Sequence, residues 1–440
     1  MAHDKRHPEK VLIDAGAKLY LVGGAIRDLL LDRPVSDSDF CVVGATPDQM
    51  VDAGFHQVGA DFPVFLHPVT GQEFALARTE RKSARGTPSA TVYADPTVSI
   101  EEDLSRRDLT INAMAGPVTD ECLPLVIDPF GGRADIQAKI LRHVDASSFV
   151  EDPVRVLRLA RFAARFTDFT VAPETIELCQ DMVRTGLLDE LVGERIWKEM
   201  SRGLLEEKPS RMFDVLRQCG ALGRLAPELD RLWGVPQAPQ HHPEVDTGVH
   251  VMMVLDLAAR RNASLLVRFA ALLHDLGKGV TPEDNYPSHT DHETLGLPLV
   301  KSLCERWKAP SDMTKFALLV CEEHQNVHRA LVMRPSSAVK LFMRAGAFNR
   351  PELLESLVEA CECDARGRLG LQDKPYPQAQ FLRDALAAAR SVDAGQLALA
   401  CRRPQDIPER ILSERTRAVQ SVATHDRRAE LIKREGRAHN

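Results

Sequence analysis

The chain has 440 residues, 44% of them hydrophobic and 27% charged, and a formal net charge of −7. That length exceeds one ordinary core and favours a string of packed units. The composition excludes extended disorder, no apolar run is long enough for a membrane helix, and the acidic balance means that any RNA contact must use a local basic patch.

Residues 1–10 are polar and lack the apolar core of a secretion signal, so a cytoplasmic location is expected. Nine cysteines, scattered singly apart from Cys361 and Cys363, argue against a disulfide framework or zinc ribbon and for reduced thiols.

β-type runs at 18–22, 39–43 and 73–77 are interspersed with helical patterns at 25–31 and 47–53, which predicts an α+β domain. The first run leads into Gly23-Gly24 and a helix bearing Arg27 and Asp28. A strand, a glycine turn and a helix start make a phosphate cradle, because backbone N–H groups and the helix N-terminus both favour an anion. By itself the pattern describes a tight turn equally well.

Asp37-Ser38-Asp39 stands where the second run begins. Two residues apart on an extended chain, both carboxylates face one way and suit one or two Mg²⁺ ions against a triphosphate. The alternative for an isolated pair is a solvated turn. Glu73, at the start of the third run, is the candidate third carboxylate. Arg107, in Arg106-Arg107-Asp108, offers a planar fork for triphosphate oxygens or a surface ion pair with the acids at 101–103.

From about Asp152 helical periodicity takes over, with Val156, Leu157, Ala160, Phe162 and Ala163 on one apolar face, and the remainder reads as all-α. Asp152 suits an N-cap and Pro153 the first helical position. Arg155, Arg158, Arg161 and Arg165 then form a basic stripe that calls for an anionic partner. An acid beside an arginine also presents fixed acceptors and donors for a base edge. The run Gly-Val-Pro-Gln-Ala-Pro-Gln-His-His-Pro near 232–242 predicts a domain boundary, and a second break is expected at 367–377. The arginine-rich end, 415–440, reads as a solvated helix or an RNA contact.

In the helical half, a helix at 249–260 carries His250, and Ser264 caps a following helix that ends at His274-Asp275 before Gly277. Antiparallel packing brings His250 to that pair, and imidazoles with a carboxylate suit a divalent transition metal. His289, His292 and His324 are further candidates.

The ordered set Gly23-Gly24-Ala25-Ile26-Arg27-Asp28, Asp37-Ser38-Asp39, Arg106-Arg107-Asp108 with Asn112-Ala113, Asp128-Pro129 with Gly132 and Asp135, Glu151-Asp152-Pro153-Val154-Arg155, and Glu194-Arg195 with Trp197 resembles the motif series of class II tRNA nucleotidyltransferases, the CCA-adding enzymes. The likeness spans about half the chain, and the remainder resembles the HD phosphohydrolase superfamily, as in bacterial multifunctional CCA proteins. The resemblance implies a polymerase-β-like head (1–150), an all-α neck (151–232), an all-α HD domain (233–370) and a helical C-terminal segment (371–440).

It implies that Asp37 and Asp39 hold Mg²⁺ and that Gly24, Arg27 and Arg107 contact CTP or ATP. It further implies that Asp152 and Arg155 read the incoming base, with Arg158 and Arg161 completing the pocket. C, C and A are then added to the tRNA 3′ end with the protein as template. For the HD part it implies a distant aspartate, for which Asp364 is the candidate, joining His250, His274 and Asp275 around a divalent transition metal, Ni²⁺ being one candidate. The implied reactions are 2′,3′-cyclic phosphodiesterase, 2′-nucleotidase and phosphatase. His292 and His324 are open between metal ligand and holder of substrate phosphate. The expected partners are tRNA, CTP and ATP, with no membrane, and the expected form is a monomer or homodimer.

Three rivals remain at this stage. A bacterial poly(A) polymerase shares the head motifs but usually lacks the HD domain and has a basic C-terminal extension. A non-catalytic tRNA chaperone is opposed by the intact Asp37, Asp39, Arg27 and Arg107. The third is a hydrolase whose head only senses nucleotides.

Overall fold

The computed structural model describes residues 7–35, 38–58, 64–81, 91–118 and 125–438. They belong to two compact units, Met1–Glu190 and Leu191–Asn440. The first is α+β and the second is built from helices.

In the first unit the strands are β1 (Lys18–Val22), β2 (Asp39–Val43), β3 (His56–Val58), β4 (Val64–Leu66), β5 (Glu73–Leu76), β6 (Arg78–Arg81), β7 (Thr91–Ala94) and β8 (Ala115–Pro117). Six of them form one sheet in the order β3-β4-β5-β2-β1-β8, with β2 and β5 parallel and the other neighbours antiparallel. β6 and β7 form a separate antiparallel ladder. The two-residue period sends Leu19, Val42, Phe74 and Leu76 to a core shared with Leu12, Met50 and Phe65. Tyr20, Val22 and Cys41 go to the opposite face with Leu104, Ala113 and Ala115.

Local chemistry sets the helix starts. The helix Pro47–Ala53 has Thr46 and Gln49 as a reciprocal capping box, and Ile100–Ser105 has Ser99 and Glu102 in the same roles. The arginine-bearing helix runs Val154–Arg165, one residue later than proline at its first position would give. Asp152 still accepts the Val154 N–H at 3.2 Å. A two-residue parallel ladder, Ile140–Leu141 with Thr170–Val171, is the one strand pairing beyond residue 152 among the described residues.

The second unit is organised round Leu265–Leu273, which is buried from Val267 to Leu273. Apart from Arg268, whose guanidinium donates to the Ala263 and Leu204 carbonyls, the helix is apolar, and such a helix belongs in the middle of a core. It packs against Thr247–Arg260, Ser311–His328 and Glu352–Arg366, and therefore delivers His274-Asp275 into the interior. Ser264 caps it as expected, its side chain accepting the Val267 N–H. The proline-rich run at 232–242 lies within this unit. It folds back so that Gln237 N–H donates to the Val245 carbonyl at 2.6 Å and Thr247 N–H to that of Val235 at 3.0 Å. No helix among the described residues is long and apolar enough to cross a membrane.

Gly277, just after the His-Asp pair, approaches the helix His292–Trp307 so closely that a Cβ there would lie 1.9 Å from the His292 carbonyl oxygen and 2.7 Å from the Gly296 nitrogen. A backbone cannot yield as a flexible side chain does. Gly277→Ala is expected to destabilise the second unit by about 1–3 kcal/mol. Peptide-resolved hydrogen exchange should show faster exchange in 191–440 and unchanged exchange in the β1–β2–β5 strands; unchanged exchange throughout would contradict this reading.

Candidate active sites

In the first unit, β-sheet register assembles the site. Val22, the last residue before the glycine turn, pairs with Asp39, and Asp39 pairs with Glu73 on β5. Asp39 and Glu73 therefore share the sheet face of Val22 and Cys41 and stand beside Gly23. Asp37 lies outside the described residues. Gly23 has φ +66°, and a Cβ there would meet Arg107 Nη1 at 2.7 Å, so a bare backbone is what lets this guanidinium lie against the turn. Arg107 Nη2 donates to the buried Asp103 at 3.1 Å, which realises the ion pair expected from sequence. Its Nε is buried and makes no hydrogen bond among the described residues.

The other arginines are more engaged than a solvent-facing stripe implies. Arg27 is buried and forks onto both Asp28 oxygens at 2.9 Å, with Nη1 on Asn112 Oδ1 at 2.6 Å. Arg158 donates to Asp108 Oδ2 at 2.8 Å, Asn112 donates to Asp108 Oδ1 at 3.0 Å, and Arg165 reaches Asp28 at 3.3 Å. A chain of partners thus runs from Arg165 through Asp28, Arg27, Asn112 and Asp108 to Arg158. It supplies the anions that like-charged neighbours on one helix need. Arg155 is buried, with donors on the Ser148 carbonyl at 2.7 Å and the Arg106 carbonyl at 2.5 Å. Arg161 is buried over the Phe162 ring at 4.5 Å. Asp152 is half-buried at the helix start. Burial opposes ionisation of Asp108, but the Arg158 guanidinium and the Asn112 and Leu109 donors outweigh it and bring its carboxyl down to about 2.

In the second unit, the four residues expected from sequence do meet. His250 Nε2 lies 3.0 Å from Asp364 Oδ1 and 3.9 Å from Asp275 Oδ2; His274 Nε2 lies 3.1 Å from Asp275 Oδ2 and 3.9 Å from Asp364 Oδ1. On the other side of Asp275, His292 Nε2 and His324 Nε2 lie 3.4 and 3.7 Å from Oδ1. His274, His292 and His324 each hold Nδ1 against a backbone carbonyl, of Ala271 at 2.7 Å, His289 at 2.8 Å and Cys321 at 3.0 Å. That contact puts the proton on Nδ1 and leaves the Nε2 lone pairs facing inward. The Nε2 atoms of His292 and His324 are 3.1 Å apart, and burial brings His324 down to about 3, which disfavours a proton between them.

Asp275 Oδ1 and His274 Nε2 are buried and make no hydrogen bond among the described residues. Converging lone pairs without donors fit a divalent cation, and the ligand atoms form two groups that share Asp275: His250-His274-Asp275 and Asp275-His292-His324. Burial works against both acids, yet Lys278 helps to hold Asp275, and Arg368 and His328 help to hold Asp364, well below the usual carboxylate range.

His289 is accounted for elsewhere, between the Pro236 carbonyl at 2.8 Å and Thr281 at 2.6 Å. His328 was missed from sequence. It lies 2.6 Å from Asp364 Oδ2 and 3.0 Å from the Tyr376 hydroxyl. Its spacing of four from His324 on one helix was the available signal. Lys278, 2.7 Å from Asp275, was also missed, one turn after the pair it serves. A cavity of about 580 Å³ opens beside the site, lined by Gln237, Lys278, His292, His328, Arg368 and Tyr376 among others, and it is cationic at Lys278, Arg329, Arg368 and Lys374.

Three family descriptions match along the chain: "Poly A polymerase head domain" over residues 19–142, "Probable RNA and SrmB- binding site of polymerase A" over 168–232, and "HD domain" over 247–363. The multifunctional CCA protein of Burkholderia orbicola is 59% identical over 382 residues, covering 86% of this chain and 92% of the relative. That of Paraburkholderia phymatum is 55% identical over 404 residues, covering 91% and 97%. The crystal structure of the Bacillus stearothermophilus CCA-adding enzyme with CTP shares the fold at a TM-score of 0.61 and 23% identity, covering 100% of this chain and 99% of that one.

The buried Asp108 gives a pH test. Its folded pKa is below the unfolded value, so its contribution is present above about pH 4 and is lost as pH falls towards 2. Asp108→Asn is expected to destabilise the first unit by about 2 kcal/mol at pH 7 and by about half as much at pH 3. Denaturant titrations at the two pH values check this; equal losses at both would show that the ion pair contributes nothing.

Proposed function

The chain belongs to the bacterial multifunctional CCA proteins, CCA-adding enzymes with an HD domain, and on that premise we propose how its residues divide two reactions. The first unit adds C, C and A in turn to the 3′ end of tRNA from CTP and ATP, and the second hydrolyses phosphate esters at RNA ends. One observation carries the first reading: strand register stands Asp39 next to the glycine turn and in line with Glu73.

In this reading Asp37 and Asp39, with Glu73 as a third carboxylate, hold Mg²⁺, whose charge when bound offsets that of the triphosphate. Gly24 and Arg107 face the phosphates, and the buried free Nε of Arg107 supports that role. Arg27 braces the turn through Asp28 and Asn112 while contributing to the same anion-binding surface. Asp152, Arg155, Arg158 and Arg161 select the base. The chain of carboxylates and amides around the arginines supports a preset rather than adaptive template. In the second unit His250, His274, Asp275 and Asp364 hold a divalent transition metal, with Ni²⁺ suited to the imidazole-rich set. Lys278 and Arg368 draw the substrate phosphate into the cavity. We place the protein in the cytoplasm, in keeping with its tRNA and nucleotide substrates and with the free, mostly buried thiols among the described residues.

A tRNA lacking its terminal CCA, incubated with Mg²⁺, CTP and ATP, should gain three nucleotides and stop; a long A tail would instead indicate a poly(A) polymerase. Asp39→Ala should reduce addition to background and leave cyclic-phosphate hydrolysis intact, and His274→Ala should do the reverse. Loss of both activities from either change in a folded protein would refute two separate centres.

A further inference from the structure

His250 is the metal-facing residue whose second ring nitrogen is not held by a backbone carbonyl. Its Nε2 faces Asp364 and Asp275, while Nδ1 lies 2.9 Å from Glu244 Oε1, off the line of an ideal hydrogen bond. The same oxygen lies 3.0 Å from His242 Nδ1, and the other oxygen, Oε2, accepts the Leu369 N–H at 3.2 Å. The Glu244 side chain is 2% exposed, and the His242 and His250 rings meet edge to face at 4.6 Å. A buried carboxylate touching three groups this closely fixes their relative positions. His274, His292 and His324 obtain the same orientation from carbonyls of their own helices or turn, but His250 lies on a helix that gives it none among the described residues.

We propose that Glu244 is the positioning residue of the metal centre: it accepts the Nδ1 proton of His250, aims Nε2 at the metal, and ties the loop 236–246 and the chain at Leu369 to that histidine. A carboxylate behind a ligating imidazole fixes its tautomer and makes the ring a stronger donor. The inference rests on the metal reading given above and adds a residue that carries no spacing signal in the sequence. It also gives the proline-rich run a task, because this loop carries both Glu244 and the cavity-lining Gln237 and His242.

Calorimetric titration of the full-length protein with Ni²⁺ tests it. Glu244→Ala should weaken Ni²⁺ binding about 10–100-fold, and Glu244→Gln, which retains an acceptor but loses the charge, should fall between it and the parent. His274→Ala is the control that removes a direct ligand, and retained CCA addition by each variant reports a folded chain. Should Glu244→Ala fail to fold, Glu244→Gln decides. Parent-like affinity in the folded variant overturns this proposal alone, whereas failure of the parent to bind Ni²⁺ overturns the metal reading and this one with it. Loss of one separate Ni²⁺ equivalent, with the remaining affinity unchanged, would also overturn it, because Glu244 would then be a ligand of its own site with His242 and His250.

Discussion

Two buried carboxylates that flank the same pair of histidines, Asp275 and Asp364, set the terms for the second unit. Each is almost fully enclosed in a helical core, where an unpaired charge carries a penalty of several kcal/mol. Each meets a cation one turn later on its own segment, Asp275 at Lys278 and Asp364 at Arg368. Those cations occupy Asp275 Oδ2 and Asp364 Oδ1, while Asp275 Oδ1 faces the Nε2 atoms of His292 and His324 with no donor among the described residues. Lone pairs pointed at lone pairs are stable only round a positive charge. The architecture of the unit, from the buried helix that carries the pair inward to the glycine that lets a second helix approach, keeps that charge demand in place.

The first unit answers the opposite problem. Its arginines crowd one helix, and internal acids and an amide hold several of them in an ordered chain while Arg107 retains a buried free donor. A set of guanidiniums already fixed by neighbours loses little freedom on meeting an anion. The two units thus share the same elements, buried acids beside cations, to different effect: one keeps a buried guanidinium donor free at Arg107, the other keeps Asp275 Oδ1 and His274 Nε2 without a hydrogen-bond partner among the described residues.

Much of this was legible in the sequence because local rules agreed with the fold. The strands at 18–22 and 39–43 and the helix at 47–53 came from periodicity and turn chemistry, and Ser264 announced the helix that ends in His274-Asp275. Antiparallel packing placed His250 with that pair, whereas Asp364, 114 residues from His250, was placed there only by the resemblance to HD phosphohydrolases. What stayed hidden depends on tertiary contact. Nothing local says that Arg155 turns its donors onto the Ser148 and Arg106 carbonyls, or that Asp108 and Asp28 supply the anions for the arginine helix. Glu244 and Tyr376 sit in segments read as breaks or near one, where the absence of periodicity hid residues packed against His250 and His328. His328 had a helical spacing signal that went unused.

The most direct measurement is anomalous diffraction from crystals of the protein soaked in Ni²⁺, collected at the nickel absorption edge. The account predicts a peak about 2.0–2.2 Å from the Nε2 atoms of His250 and His274 and from oxygens of Asp275 and Asp364. A cavity holding only water, with the rings unmoved and nickel bound elsewhere or nowhere, would contradict it.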